Sequence, residues 1–166
     1  MTRIGILSDT HGFVEPRLFD FFASCDKIFH AGDIGSKEAA DSLSAFRPLI
    51  AVHGNCDGSD VRATYPEIQR VNCEEVDILM THIGGYPGHY NSKINPILKK
   101  HPPKLFIAGH SHILKVMNDT TLQFLHINPG AIGNSGIHTV KTAVRLVVDG
   151  NNMRDLEILE LPRKWN

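Results

Sequence analysis

Short runs of consecutive apolar residues, each closing on a polar or charged tip, punctuate the first two thirds of the chain. Residues 3–8 (Arg-Ile-Gly-Ile-Leu-Ser), 27–31, 49–52, 76–80 and 105–108 follow this pattern, which is that of buried strands. Between the first three runs the period lengthens. Over 15–25, Leu18, Phe19, Phe22 and Ala23 recur at helical spacing, and Pro16 suits a first helical turn. Ser36 is placed to cap a second helix through Phe46, with Glu38 and Asp41 in its early turns. This β-α-β-α-β rhythm predicts the doubly wound pattern of a mostly parallel sheet.

After Asp57 the rhythm changes. Residues 68–71 and 76–80 read as adjacent strands, followed by a glycine-rich loop over 84–88. A helix over 92–101 carries Ile94, Ile97 and Leu98 and is stopped by Pro102-Pro103. The tail reads as short strands without helices, at 113–117, 122–127, 142–148 and 155–161, with turns at Asn128-Pro129-Gly130 and Asp149-Gly150-Asn151. An α/β first half and a β-rich second half, with no linker or repeat, predict two mixed sheets packed face to face with helices outside. One domain should span 1–166.

Composition narrows the function classes. The hydrophobic share of 42% and charged share of 21% are those of a soluble globular protein. A net charge of -1 gives no basic face for nucleic acid. No apolar run approaches the roughly 20 residues of a membrane helix, and the first strand opens too early for a secretory leader. Three cysteines, Cys25, Cys56 and Cys73, have no framework spacing and suit a reducing cytoplasm. Homo-oligomerisation stays open. The ten histidines are the outlier.

Four of those histidines lie at strand tips, beside carboxylates and an amide. The tips read Asp9-Thr10-His11, Gly32-Asp33, Gly54-Asn55-Cys56-Asp57, Thr81-His82 and Gly109-His110-Ser111-His112. Asp9 and His11 sit at alternate positions past a strand, so both can face one site. Asp33 is a lone carboxylate able to give one oxygen to each of two cations. Asn55 offers a carbonyl oxygen, and His82, His110 and His112 offer imidazole nitrogen. Two cations about 3.5–4 Å apart can hold a bridging hydroxide and clamp an in-line displacement at phosphorus. Carboxylate and imidazole without thiolate favour manganese, iron, zinc, nickel or cobalt over magnesium or calcium. Each tip alone is weak, because turns are rich in Asp and Gly for backbone reasons. Five in order, each at a strand end, point to metal. No glycine-rich phosphate loop followed by lysine is present.

The ordered string Asp-x-His, Gly-Asp, Gly-Asn-x-Asp, Thr-His, Gly-His-Ser-His resembles the calcineurin-like metallophosphoesterases, and the chain's compactness and its Gly-Asn-Cys-Asp resemble their small prokaryotic phosphodiesterase branch. The resemblance implies a four-layer α-β-β-α sandwich. It implies a first metal held by Asp9, His11, Asp33 and His112, and a second held by Asp33, Asn55, His82 and His110, with Asp33 bridging. Asn55 and His82, with His110, would hold the catalytic geometry, and manganese is the leading cofactor. The implied substrate is a small phosphoester, with phosphodiesters preferred and phosphomonoesters the alternative. The retromer subunit of eukaryotes is similar in fold and is thought to act as a binding platform. The complete set of seven ligands here argues for an enzyme over such a scaffold.

Two features depart from the family pattern. Many members carry histidine after Gly-Asn, where it protonates or stabilises the leaving group; here that position is Cys56, a weak acid. After His82, where glycine is common, the chain reads Ile83-Gly84-Gly85-Tyr86-Pro87-Gly88-His89-Tyr90. This loop should shape the substrate pocket, with Gly84, Gly85 and His89 as contacts. Of the other histidines, His30 is either a support for a ligand or a satisfied strand residue. His53 should turn away from Asn55, and His101, His126 and His138 read as structural or exposed.

Overall fold

Apolar residues alternate in direction along each buried run, and both faces of each run must be covered. Two sheets result, as expected, in the computed structural model, which describes residues 1–163. The expected domain's last residues, 164–166, lie outside the described residues. In chain order the strands are β1 (Thr2–Leu7), β2 (Lys27–His30), β3 (Leu49–Ala51), β4 (Ile68–Cys73), β5 (Val76–Thr81), β6 (Gly85–Tyr86) and β7 (His89–Tyr90). The remainder are β8 (Leu105–Ile107), β9 (Leu114–Asp119), β10 (Phe124–Pro129), β11 (Val140–Asp149) and β12 (Asn152–Pro162). The helices are α1 (Arg17–Phe21), α2 (Lys37–Phe46), α3 (Ser59–Thr64) and α4 (Asn95–Lys100).

One sheet has the order β12-β11-β1-β2-β3 and the other β4-β5-β8-β10-β9. β1, β2 and β3 run parallel, whereas β11 joins β1 antiparallel. Between the sheets, Ile4, Ile6, Phe29, Val144 and Leu146 pack against Ile78, Met80, Leu105 and Ile107. The intervening residues point outward: Leu7 and Ile28 meet Leu18 and Phe22 near α1 and Leu43 of α2. On the opposite outer face Leu79 and Phe106 meet Ile94 and Leu98 around α4. The layers are therefore α-β-β-α. The doubly wound expectation fails for the same reason: the second sheet occupies the face that a doubly wound helix would need, so α1 and α2 share the outer one.

Local chemistry sets several ends. Ser36 Oγ accepts the Ala39 amide at 3.1 Å and starts α2. Gly5 lets α1's end approach the sheet, since a Cβ there would lie 2.7 Å from the Phe22 ring. The helix expected over 15–25 is shorter, as is the one over 92–101. The glycine-rich segment is a hairpin, β6–β7, turning at Pro87-Gly88 with Gly88 at φ 86°. Asn128 and Pro129 extend β10, and the turn begins at Gly130. α3 gave no periodic signal because Val61 is its one buried residue; Arg62 Nε reaching the Asp57 carbonyl at 2.7 Å ties it down.

Two buried histidines are part of this frame. His30 Nδ1 accepts the Gly32 amide at 3.1 Å, so Nε2 carries the hydrogen and donates to Thr10 Oγ1 at 3.0 Å. It is a satisfied strand histidine. His126 Nδ1 donates to the Phe106 carbonyl at 3.2 Å. Burial pushes each pKa down to about 4 from 6.5. Unfolded imidazoles bind protons below about pH 6.5, while these refuse them until about pH 4. Their contribution to stability is thus complete above pH 6.5 and is lost as pH falls through that window. His126→Phe, which keeps a ring against Phe106, should flatten the decline between those pH values in urea unfolding. Parallel profiles for the two proteins would contradict a neutral His126.

Candidate metal centre

The tips of β1, β2 and β3 in one sheet and of β5 and β8 in the other meet at a common edge. There the backbone turns sharply. Asp9, His11, Asp33, His110 and His112 have φ of 57, 47, 54, 73 and 63°. These are five of the eight non-glycine residues with positive φ among the described residues. Each left-handed residue costs roughly 1–2 kcal/mol, and such strain gathers where side chains must be aimed. β1 ends at Leu7, so Asp9 and His11 face one space through these turns and not through strand alternation. The Asp9 and His11 amides donate to the Gly32 and Asp33 carbonyls, both at 3.0 Å, lashing the two tips together.

The motif glycines admit side chains from other strands. A Cβ on Gly54 would lie 2.1 Å from Asp33 Oδ1, and one on Gly109 2.1 Å from Ser8 Oγ. Each carboxylate is then fixed by one oxygen. Asp9 Oδ2 accepts from Ser8 Oγ at 2.6 Å and from the His110 amide at 3.1 Å. Asp33 Oδ1 accepts from the Cys56 amide at 2.8 Å. The other oxygens face imidazoles. Asp9 Oδ1 lies 3.2, 3.6 and 3.9 Å from Nε2 of His112, His11 and His82. Asp33 Oδ2 lies 3.1 Å from His82 Nε2 and 3.7 Å from His11 Nε2.

The hydrogen positions follow from the neighbours. His82 Nδ1 is 2.7 Å from the Ala31 carbonyl, which only accepts, so Nδ1 donates and Nε2 presents its lone pair to the carboxylates. His138 Nε2 donates to the Gly133 carbonyl at 2.9 Å, which makes its Nδ1 an acceptor for His112 Nδ1 at 3.2 Å. His112 Nε2 is thereby aimed, bare, at Asp9. Burial keeps His138 below its ordinary pKa and neutral. Lone pairs facing carboxylate oxygens repel unless a cation lies between, and a ring anchored through its other nitrogen is the usual support of a metal-binding histidine. The donor set fits a divalent transition metal.

The charges agree. Burial opposes ionisation of Asp9, yet His11 and His112, with His82 and Ser8, hold its carboxyl far below the usual range. Burial also opposes ionisation of Asp33, and His82 and the Cys56 amide more than offset it. Burial disfavours the charged His82 ring, but Asp33 and Asp9 outweigh it; Asp9 likewise raises His11. A proton and a metal cation compete for the same lone pairs.

Six of the expected residues converge. The ligand atoms of Asp9, His11 and His112 lie within 4.8 Å of one another, as do those of Asp33, His82 and His110. Cys56 Sγ forms a third such group with His11 and Asp33. Its thiol is exposed, and burial together with the Asp33 charge raises its pKa further from that of a useful acid. Asn55 is on the exposed rim, its amide donating to Cys56 Sγ at 3.5 Å. It lines a cleft of about 300 Å³ with His82, Arg62 and Lys93. His53 lines that cleft too, contrary to expectation, because the chain leaves β3 at Ala51 and alternation no longer holds. Gly84, Gly85 and His89 lie along a second cavity of about 510 Å³ that reaches His110. Gly84 packs against Phe106 and Ala108.

Two supporting residues were not anticipated. His138, expected to be structural or exposed, orients His112; its loop carries no local signal of that contact. Asp57 accepts the Gly35 and Gly54 amides at 2.8 Å and the Ile34 amide at 3.2 Å, joining two tips. Its place in Gly-Asn-Cys-Asp was the available sign.

Facing sheets whose strand ends gather carboxylates and bare imidazoles make a candidate centre for divalent metal. The model of the calcineurin-like phosphoesterase superfamily domain matches residues 2–151, and the chain belongs to that family, whose activity is metal-dependent phosphoester hydrolysis. A probable metallophosphoesterase of Methanocaldococcus jannaschii is 32% identical, the match covering 77% of this chain and 67% of the relative. An archaeal phosphodiesterase of known structure has a TM-score of 0.68 at 22% identity, covering 95% of this chain and 99% of the other. Zinc-complexed Vps29 from Entamoeba histolytica gives 0.73 at 15% identity, covering 98% and 99%.

Among the described residues, His112 is the one proposed ligand that the His138 side chain hydrogen-bonds, so its removal tests the orientation of that ring. His138→Ala should weaken metal binding by about 10–100-fold, as loss of a ligand's hydrogen-bond partner does. Calorimetric titration with manganese measures it; unchanged affinity would refute the positioning role.

Proposed function

We propose that the chain is a dinuclear phosphodiesterase. Asp9, His11, Asp33 and His112 hold one divalent metal, and Asp33, Asn55, His82 and His110 hold the second. The observation that carries this reading is Asp33 Oδ2, which faces His82 of one group and His11 of the other. Asp33 Oδ1 accepts the Cys56 amide, which holds the carboxylate with Oδ2 turned toward both groups. Manganese leads, with iron, nickel, zinc or cobalt also suited to these donors. When bound, such cations supply Lewis acidity toward phosphoryl oxygens and acidify water.

The chain's own residues supply the rest. Ser8, Cys56 and His110 fix the carboxylates through hydroxyl and amide donors, and Asn55 brings its amide to the rim where substrate enters. Two cavities support diester over monoester substrates. The smaller reaches Asn55 and His82 and carries Arg62 and Lys93; the larger reaches His110. A diester has a substituent for each. Cys56, with its raised pKa, supplies no leaving-group proton, so esters with good leaving groups are the better substrates. The three free thiols support a cytoplasmic location. The likeness to Vps29 is one of fold.

Metal-stripped protein should be inactive, and manganese should restore hydrolysis of bis(p-nitrophenyl) phosphate. Asp33→Ala should lower occupancy at both positions by elemental analysis, whereas Asp9→Ala should mainly empty one. Two bound metals without turnover of any diester or monoester, across several divalent metals, would leave the scaffold reading in its place.

Cys56→Ser should change nitrophenyl ester turnover little. Cys56→His should favour alkyl over nitrophenyl esters, general acids typically contributing about 10²–10⁴-fold. A large loss in Cys56→Ser at full metal content would contradict this role.

A further inference from the structure

The loop past β3, residues 54–57, turns its peptide groups two ways. Its amides meet carboxylates: Cys56 N donates to Asp33 Oδ1 and Gly54 N to Asp57 Oδ2, both at 2.8 Å. Its carbonyls meet one side chain. Arg62 Nε donates to the Asp57 carbonyl at 2.7 Å, and Nη2 donates to the Gly54 and Asn55 carbonyls, both at 3.2 Å. A single guanidinium on α3 thus gathers three carbonyls of the loop that carries Asn55.

The Asn55–Cys56 peptide links that guanidinium to the metal centre. Its carbonyl oxygen accepts from Arg62, and its N–H donates to Asp33 Oδ1. Positive charge on the carbonyl side polarises the peptide and strengthens the hydrogen bond that its amide donates. That bond holds Asp33 with Oδ2 turned toward His82 Nε2 at 3.1 Å and His11 Nε2 at 3.7 Å. α3 suits this use. It is six residues long with one buried residue, Val61, so helix propensity and packing give it little reason to form. Folded back over its own loop, it sets Arg62 against the Asn55 carbonyl seven positions earlier. A lysine there would keep the charge and lose the spaced nitrogens of the fork.

We propose that Arg62 is a positioning residue of the metal centre. Through the Asn55–Cys56 peptide it holds Asp33 in the pose that faces both metal positions, and it fixes the backbone from which Asn55 reaches the second. The inference rests on the dinuclear reading and adds to it a residue that is itself no ligand. Losing such a support typically lowers metal affinity about 10–100-fold while the ligands themselves remain.

The test compares Arg62→Ala, Arg62→Lys and Val61→Ala with the unaltered full-length chain. Val61→Ala loosens α3 and leaves the guanidinium in place, so it reports what the helix's packing alone contributes. Arg62→Lys keeps the stem and the charge, and carries the test if Arg62→Ala does not fold. In metal-free protein, amide NMR follows the Cys56 N–H. Both Arg62 variants should move its proton upfield and speed its exchange with solvent, whereas Val61→Ala should leave both near their original values. Calorimetric titration should show manganese binding weakened about 10–100-fold in the Arg62 variants and by less than about threefold in Val61→Ala. Unchanged manganese affinity in either Arg62 variant would overturn the proposal. So would an unmoved Cys56 amide, or equal losses of affinity in Val61→Ala and Arg62→Lys. If the unaltered chain binds one manganese ion or none, the dinuclear reading fails, and the Cys56 amide alone decides whether Arg62 positions Asp33.

Discussion

Asp9 and Asp33 bring two negative charges into one largely water-free space, and the structure around them is arranged to keep positive charge there. Neither carboxylate is free to swing, since Ser8, the His110 amide and the Cys56 amide each occupy an oxygen turned away from the centre. The remaining oxygens meet imidazole nitrogens whose lone pairs are set by Ala31 and His138. Buried like charges and strained backbone both oppose folding. A bound cation offsets both, so the same arrangement that burdens the empty fold favours the loaded one.

The centre also spans the sandwich. Asp9, His11, Asp33 and Asn55 follow strands of one sheet, while His82, His110 and His112 follow strands of the other. Backbone contacts already cross this boundary, the Ile132 and Gly133 amides past β10 donating to the Ser8 and Asp9 carbonyls past β1. Metal binding at such a seam would fasten layers that the apolar core and these hydrogen bonds already join. The cleft lined by His53, Asn55 and His82 sits where the sheets part.

Much of this was legible in the sequence because strands buried on both faces leave uninterrupted apolar runs, and their polar tips stand out. The runs ending at Ser8, Ala31, Val52, Met80 and Ala108 located all seven proposed ligands. What stayed hidden depended on distant contacts. The helix at Ser59–Thr64 has a single buried residue, and its support comes from Arg62 and the carbonyls it reaches. His138 acquires its role across 26 residues of chain. The βαβ rhythm could not reveal that a second sheet would claim one face of the first.

The left-handed turns at Asp9, His11, Asp33, His110 and His112 also govern how this architecture can change over generations. Aspartate, asparagine, histidine and glycine are the residues most at ease in that conformation, and β-branched side chains are the least. A lineage can therefore exchange Asp33 for asparagine, or His112 for glycine, and lose its chemistry while each turn stays intact. Valine or isoleucine at the same places would break the turn before it altered the reaction. Catalysis is thus the more easily shed of the two inheritances, and the sandwich can outlive it as a surface for other uses.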